Sequence, residues 1–154
     1  MKIYKFGGTS LGSAQLMKNA AALIAAALPS EPIIVVVSAI HPVTDLLLEA
    51  ARQASRGDAA ELGKLMQGVY LLRELSEKSE ALLVSFGERL SAKLLSAYLS
   101  AQQVAASFVD ARALIVTDAS YSDARVDMAA STERIQHFFN STAQAVPVVT
   151  GFIA

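Results

Sequence analysis

Residues 33–38 read IIVVVS, five β-branched residues in a row closed by a serine. A strand with one wet face alternates apolar and polar side chains; an unbroken run suits a strand buried on both faces, as in a parallel sheet. Pro29 and Pro32 stand just before it and end any helix that precedes. That helix is predicted from Ser13, a good N-cap, to about Leu28. Its apolar residues recur as Leu16/Met17, Ala20, Leu23/Ile24 and Ala27/Leu28. Further upstream, residues 2–6 read as a short strand, with Ile3 and Lys5 on the side opposite Tyr4 and Phe6. Strand, helix and buried strand make a βαβ unit, so the fold class is α/β with a mainly parallel sheet.

Downstream, helices are predicted over 44–55 and 59–76, separated by Arg56-Gly57-Asp58, and over 79–100, where Phe86, Leu90, Leu94 and Ala97/Tyr98 share a stripe. Residues 106–110 and 114–117 read as short strands. An amphipathic helix is expected over 131–141, capped by Ser131 or Thr132 with Glu133 in its first turn. Residues 146–153, VPVVTGFI, read as a last strand with no helix returning over it. The chain therefore reads as an N-terminal portion whose final strand feeds another segment. There is no internal repeat and no low-complexity linker.

The 154 residues suit one domain, or one lobe of a larger one, with a genuine core. At 53% apolar and 18% charged, the chain is more apolar than a typical free-standing domain, so part of its surface is expected to be covered. A net charge of −1, from 13 basic and 14 acidic residues, gives no footprint for nucleic acid and no polybasic run for a membrane. Without cysteine there is no disulfide framework or thiolate metal site. No apolar run is long enough to span a bilayer and no signal-like stretch opens the chain, which makes the cytoplasm the default location.

Three stretches carry candidate chemistry. KFGGTS (5–10) joins the first strand to its helix at the carboxyl end of the strand, where open parallel sheets bind ligands. Gly7 and Gly8 let backbone N–H groups approach a phosphate, and Lys5 offers a charge to an anion. The alternative is a plain strand–turn–helix connection. Ser38 closes the second strand and Thr44 opens the next helix at the same edge; capping is the competing role. Glu88, in SFGERLSAKLL (85–95), is expected in or near a first helical turn, either complementing the helix dipole or holding a ligand's ammonium group. His41 and His137 are isolated and show no metal-ligand spacing. Asp118, Asp123 and Asp127 share a polar loop with Arg125, a candidate anion contact, but lack a calcium-loop pattern, so no metal site is expected.

Together, KFGGTSLGS (5–13), VVSAIHPVTDLL (36–47), LLVSFGERLSAKLL (82–95), DARALIVTDASYSDARVD (110–127) and VPVVTGFIA (146–154) resemble, in order and along the whole chain, the aspartate kinases of the amino acid kinase family. The resemblance implies a three-layer α/β/α sandwich. It also implies transfer of the ATP γ-phosphoryl group, with Mg2+, to the side-chain carboxylate of L-aspartate, the first step toward lysine, threonine and methionine. By that resemblance Lys5 is catalytic and contacts the nucleotide phosphates with Phe6, Gly7 and Gly8, while Thr9, Ser38, Thr44, Glu88 and Phe152 bind aspartate. Residues 1–154 would be the N-terminal, amino-acid-binding lobe of the catalytic domain. The ATP-binding lobe and ACT regulatory domains would lie elsewhere in a homo-oligomeric enzyme, and the chain alone would be inactive. The sheet would meet the other lobe along a sticky edge. Ile40-His41-Pro42 stands where the family usually bears glycine, which alters the approach to aspartate. Other readings are another member of the family, acting on acetylglutamate, carbamate or a nucleotide, and a binding fragment without catalysis.

Overall fold

A computed structural model describes residues 1–41, 69, 71–118, 120–121, 123–141 and 145–151. The predicted helix over 44–55, most of that over 59–76, the Pro42 position, and the site residues Thr44 and Phe152 lie outside them. The described elements run β1 (Lys2–Phe6), α1 (Ala14–Ala27), β2 (Ile33–Val37), α2 (Glu77–Ala101), β3 (Ala106–Val109), α3 (Met128–Ser141) and β4 (Val146–Thr150). The four strands form one parallel sheet in the order β1-β2-β4-β3, with Lys5 opposite Val36, Val37 opposite Thr150 and Val109 opposite Val149.

The β2 run is buried as its composition demands, because helices lie on both sides of the sheet. On one side Met17, Ala20 and Ile24 of α1 and Ala92, Leu95 and Leu99 of α2 pack on Val35, Val37 and Val148. Ile24, Val35, Leu95, Leu99 and Val148 have no exposed surface. Each such side chain contributes about 1.5–3 kcal/mol relative to the exposed state. On the other side Ile34, Val109, Leu114 and Val149 meet Ile135, Phe138 and Phe139 of α3. The α/β sandwich expected from the sequence is therefore the observed one.

Local chemistry sets the element ends. Ser13 caps α1 by accepting from the Leu16 amide at 3.2 Å, as predicted. α2 begins at Ser76, whose hydroxyl accepts from the Ser79 amide at 3.3 Å. It closes with Gln103 at φ 63, the Val104 amide reaching back to the Leu99 carbonyl at 3.0 Å.

Three expectations are corrected. The apolar stripe of α2 is not Phe86–Leu90–Leu94: Leu90 and Leu94 are 53% and 52% exposed, while Glu88, Ser91, Ala92, Leu95 and Leu99 face inward. α2 has apolar residues nearly all round, and its inner face combines Leu83, Leu95 and Leu99 with small and polar residues that find partners there. Residues 114–117 form no strand; Ala111–Ala113 is a single 3-10 turn and Thr117 makes one antiparallel bridge to Val126. α3 starts at Met128, earlier than expected, because Asp127 caps it by accepting from the Ala130 amide at 3.0 Å. Ser131 is instead buried, accepting from the Val116 amide at 2.9 Å.

Candidate functional site

The carboxyl ends of the parallel strands gather at one edge, and three backbone segments interlock there. After β1, Gly7 leads into a 3-10 turn, Gly8–Leu11. After β2, the Ser38 amide donates to the Phe6 carbonyl at 3.0 Å and the His41 amide to the Gly8 carbonyl at 3.3 Å. A Cβ on Gly8 would collide with the Ala39 carbonyl, so only glycine permits this approach. At Gly7 a Cβ would meet nothing within 4 Å, so that side of the loop is open.

α2 completes the edge. Its Glu88 lies about three turns from the helix start, not in the first turn, so the helix-dipole alternative falls away. The Gly151 amide donates both to the Val37 carbonyl at 2.8 Å and to Glu88 Oε2 at 3.1 Å. A Cβ on Gly151 would lie 2.9 Å from that carbonyl and 3.0 Å from that carboxylate oxygen, so this residue too must be glycine. One turn further along α2, Ser91 Oγ accepts from the Ile40 amide at 2.9 Å and donates to the Gly87 carbonyl at 2.8 Å. The sequence reading did not single out Ser91. Its signal was the i, i+3 spacing from Glu88, which puts both on one helix face.

Glu88 is only 6% exposed and accepts this one hydrogen bond among the described residues. A carboxylate has about four acceptor positions, and a buried one needs cationic or N–H partners. The site therefore suits a positively charged or N–H-bearing ligand group beside Gly151.

The remaining predicted residues are placed differently. Phe6 is in the core, so its ring does not face the edge and only its backbone borders the site. Ser38 is half-buried and its hydroxyl makes no bond among the described residues. Thr9 is exposed on the glycine turn. Lys5 is exposed and pairs in register with Val36, so its side chain leaves the sheet on the α3 side, away from α2.

At the end of β3 the Ala111 amide donates to Thr150 Oγ1 at 2.9 Å, which ties β3 to β4. Asp110 takes two side-chain bonds from Arg112, at 2.9 and 2.6 Å, and faces Arg89 Nε at 3.6 Å. The Arg112 hydrogen bonds hold the Asp110 carboxyl below its usual range against the opposing effect of burial, and Arg112 is raised in turn. Away from this edge, an open cleft of about 620 Å³ lies between Ala113–Leu114 and Glu133, Arg134 and His137 of α3. None of the predicted substrate residues lines it. Asp118 accepts from the Ser120 and Arg125 amides, so its carboxylate organises the polar loop. Among the described residues no group of three or more His, Asp or Glu is arranged to hold a metal ion.

The model of the amino acid kinase family matches residues 1–154. The chain belongs to the amino acid kinase family. Its relatives include Aspartokinase 3, chloroplastic, of Arabidopsis thaliana, 31% identical over 188 residues that take in 98% of this chain and 34% of the relative. The aspartokinase of Chlamydia muridarum is 29% identical over 157 residues, 82% of this chain and 34% of its own length. The chain thus spans about a third of these relatives. Among solved structures, E. coli aspartokinase III in complex with lysine and aspartate superposes with TM-score 0.79 at 24% identity, over 99% of this chain and 41% of that one. The same enzyme with aspartate and ADP gives 0.78 at 22% identity. These structures share the fold. Among the described residues no helix is long and apolar enough to cross a membrane.

Proposed function

We propose that residues 1–154 are the amino-acid-binding lobe of an aspartate kinase. The observation that carries this reading is Glu88: a buried carboxylate with a single hydrogen bond among the described residues, set against a glycine that cannot carry a side chain. It takes the α-ammonium group of L-aspartate. Ser38, Thr9, Thr44 and Phe152 complete the acceptor pocket, and the acceptor's side-chain carboxylate is turned toward the glycine loop.

A carboxylate is already a competent nucleophile, so the lobe needs to position it and neutralise charge rather than supply a strong base. The open side of Gly7 and the constrained Gly8 fit nucleotide phosphates, whose approach a side chain there would hinder. Lys5 and the backbone of Phe6 border the same loop, and Lys5 balances charge on the transferring group. An acceptor oxygen attacks the γ-phosphorus, the bond to the bridging oxygen breaks, and ADP and 4-phospho-L-aspartate result. Mg2+ travels with the nucleotide as part of the substrate, held by phosphate oxygens. The nucleotide-binding remainder comes from a further lobe, consistent with the third of relatives' length spanned here, and the lobe alone does not turn over. A homo-oligomeric enzyme, a cytoplasmic setting and a place in lysine, threonine and methionine biosynthesis belong to the same proposal.

An NMR titration of the chain with L-aspartate tests it. Saturable shifts are expected at the Gly151 amide. In Glu88→Gln, which loses a charged hydrogen bond, affinity should fall about tenfold or more. Equal affinity in the variant, or a folded chain that ignores aspartate, overturns the reading.

A further inference from the structure

We propose that Ser91 is a positioning residue for the glycine loop, acting through the segment that follows β2. This rests on the reading of the carboxyl edge as an acceptor and phosphate site. Ser91 is 1% exposed, and its hydroxyl is used twice, by the Ile40 amide and on the Gly87 carbonyl. Ile40 sits between the two residues that grip Gly8. Ala39 presents the carbonyl that excludes a Cβ at Gly8, and His41 donates its amide to the Gly8 carbonyl at 3.3 Å. Holding Ile40 therefore holds both jaws. The anchor is the helical turn that carries Glu88, since Gly87 immediately precedes it. α2 thus clamps two strand ends from one face: β4 through Glu88 to Gly151, and β2 through Ser91 to Ile40. The acceptor carboxylate and the glycine loop are thereby referred to the same rigid element.

A serine suits this task better than any apolar residue. Removing the hydroxyl orphans the partly buried Ile40 N–H, which then seeks another partner by moving the loop. The i−4 bond to Gly87 also fixes the hydroxyl rotor, so the remaining lone pairs are directed at Ile40.

The test uses the full chain, with L-aspartate as acceptor probe and inorganic triphosphate as phosphate probe, followed by amide NMR. Ser91→Ala should weaken triphosphate about tenfold, as one lost, partly buried hydrogen bond implies. Its affinity for aspartate should fall by clearly less than that for triphosphate, because Glu88 and Gly151 are untouched while only Thr9 and Ser38 flank the displaced segment. The Gly7 and Gly8 resonances should move while Val35 and Val148, deep in the sheet, stay put. Ser91→Thr, which keeps the hydroxyl, should restore triphosphate binding. Should Ser91→Ala not fold, Ser91→Cys carries the same comparison. A variant that weakens both probes equally, or neither, overturns the positioning role, as does an unmoved Gly8 resonance in a folded variant. Glu88→Gln is the separate control: aspartate binding unchanged there sinks the acceptor reading, whatever Ser91 does. If wild-type chain binds neither probe, the site reading fails, and the Gly8 resonance in Ser91→Ala still decides whether Ser91 holds the loop.

Discussion

On one side of the sheet α1 and α2 together cover the strands, and the contact surface includes Phe6 of β1 at the edge. On the other side α3 packs on β2, β3 and β4 through a smaller cluster, and over β1 Ile3 remains 67% exposed with Lys5 beside it. The two sides also differ in kind. α2 reaches the strand ends with buried polar groups, whereas α3 is tied to the loop before it by the Ser131–Val116 hydrogen bond. Alternate residues of one short strand thus experience opposite environments: the buried polar groups Glu88 and Ser91 lie on the better-covered side, while Lys5 leaves the sheet on the other.

This contrast is open to measurement. The largest effect is expected on the α2 side: Leu95→Ala, at a site with no exposed surface, should cost about 2–5 kcal/mol in urea unfolding, whereas Ile3→Ala should stay within about 0.5 kcal/mol. Equal costs would mean that β1 is covered on both sides in solution. A middle-sized effect is expected from Ser131→Ala, which orphans the Val116 amide and should destabilise by about 1 kcal/mol while leaving aspartate binding unchanged. A change in aspartate affinity there would show that the α3 side communicates with the site. The smallest effect concerns acid. Because Arg112 holds the Asp110 carboxyl below its usual value, Asp110 contributes stability that is complete above about pH 3.9 and is lost as pH falls through the lowered folded value. Asp110→Asn should therefore lose less stability than wild type between neutral pH and that range, and by a small margin, since the pair is only partly buried and water screens it. An unchanged acid profile would show that Arg89 and Arg112 contribute nothing through this carboxylate.

The parallel sheet was legible because its signal is local. The IIVVV run, Ser13 before a helical period and two prolines each force a backbone state without reference to the rest of the chain. The glycine loop was legible for the same reason. The inner face of α2 was not. Leu90 and Leu94 follow a regular apolar spacing, yet the helix turns Glu88 and Ser91 inward because the Gly151 and Ile40 amides lie there to be satisfied. The start of α3 was missed because Asp127, Ser131 and Thr132 are all acceptable caps by composition, and the burial of Ser131 against Val116 chooses among them.

By itself, then, the sequence determined the βαβ opening, the parallel pairing and a glycine loop after the first strand, since those follow from backbone sterics and residue periodicity. The need for glycine at Gly8 and Gly151 comes instead from neighbours that only the fold brings close. Only the tertiary structure decided which face of α2 is buried, and that a carboxylate from the middle of that helix meets a strand end 63 residues later in the chain. Such a contact is fixed by which groups the layers bring together once they close, here a Gly151 amide shared between the Val37 carbonyl and Glu88, and no local window of sequence contains both halves of that pairing.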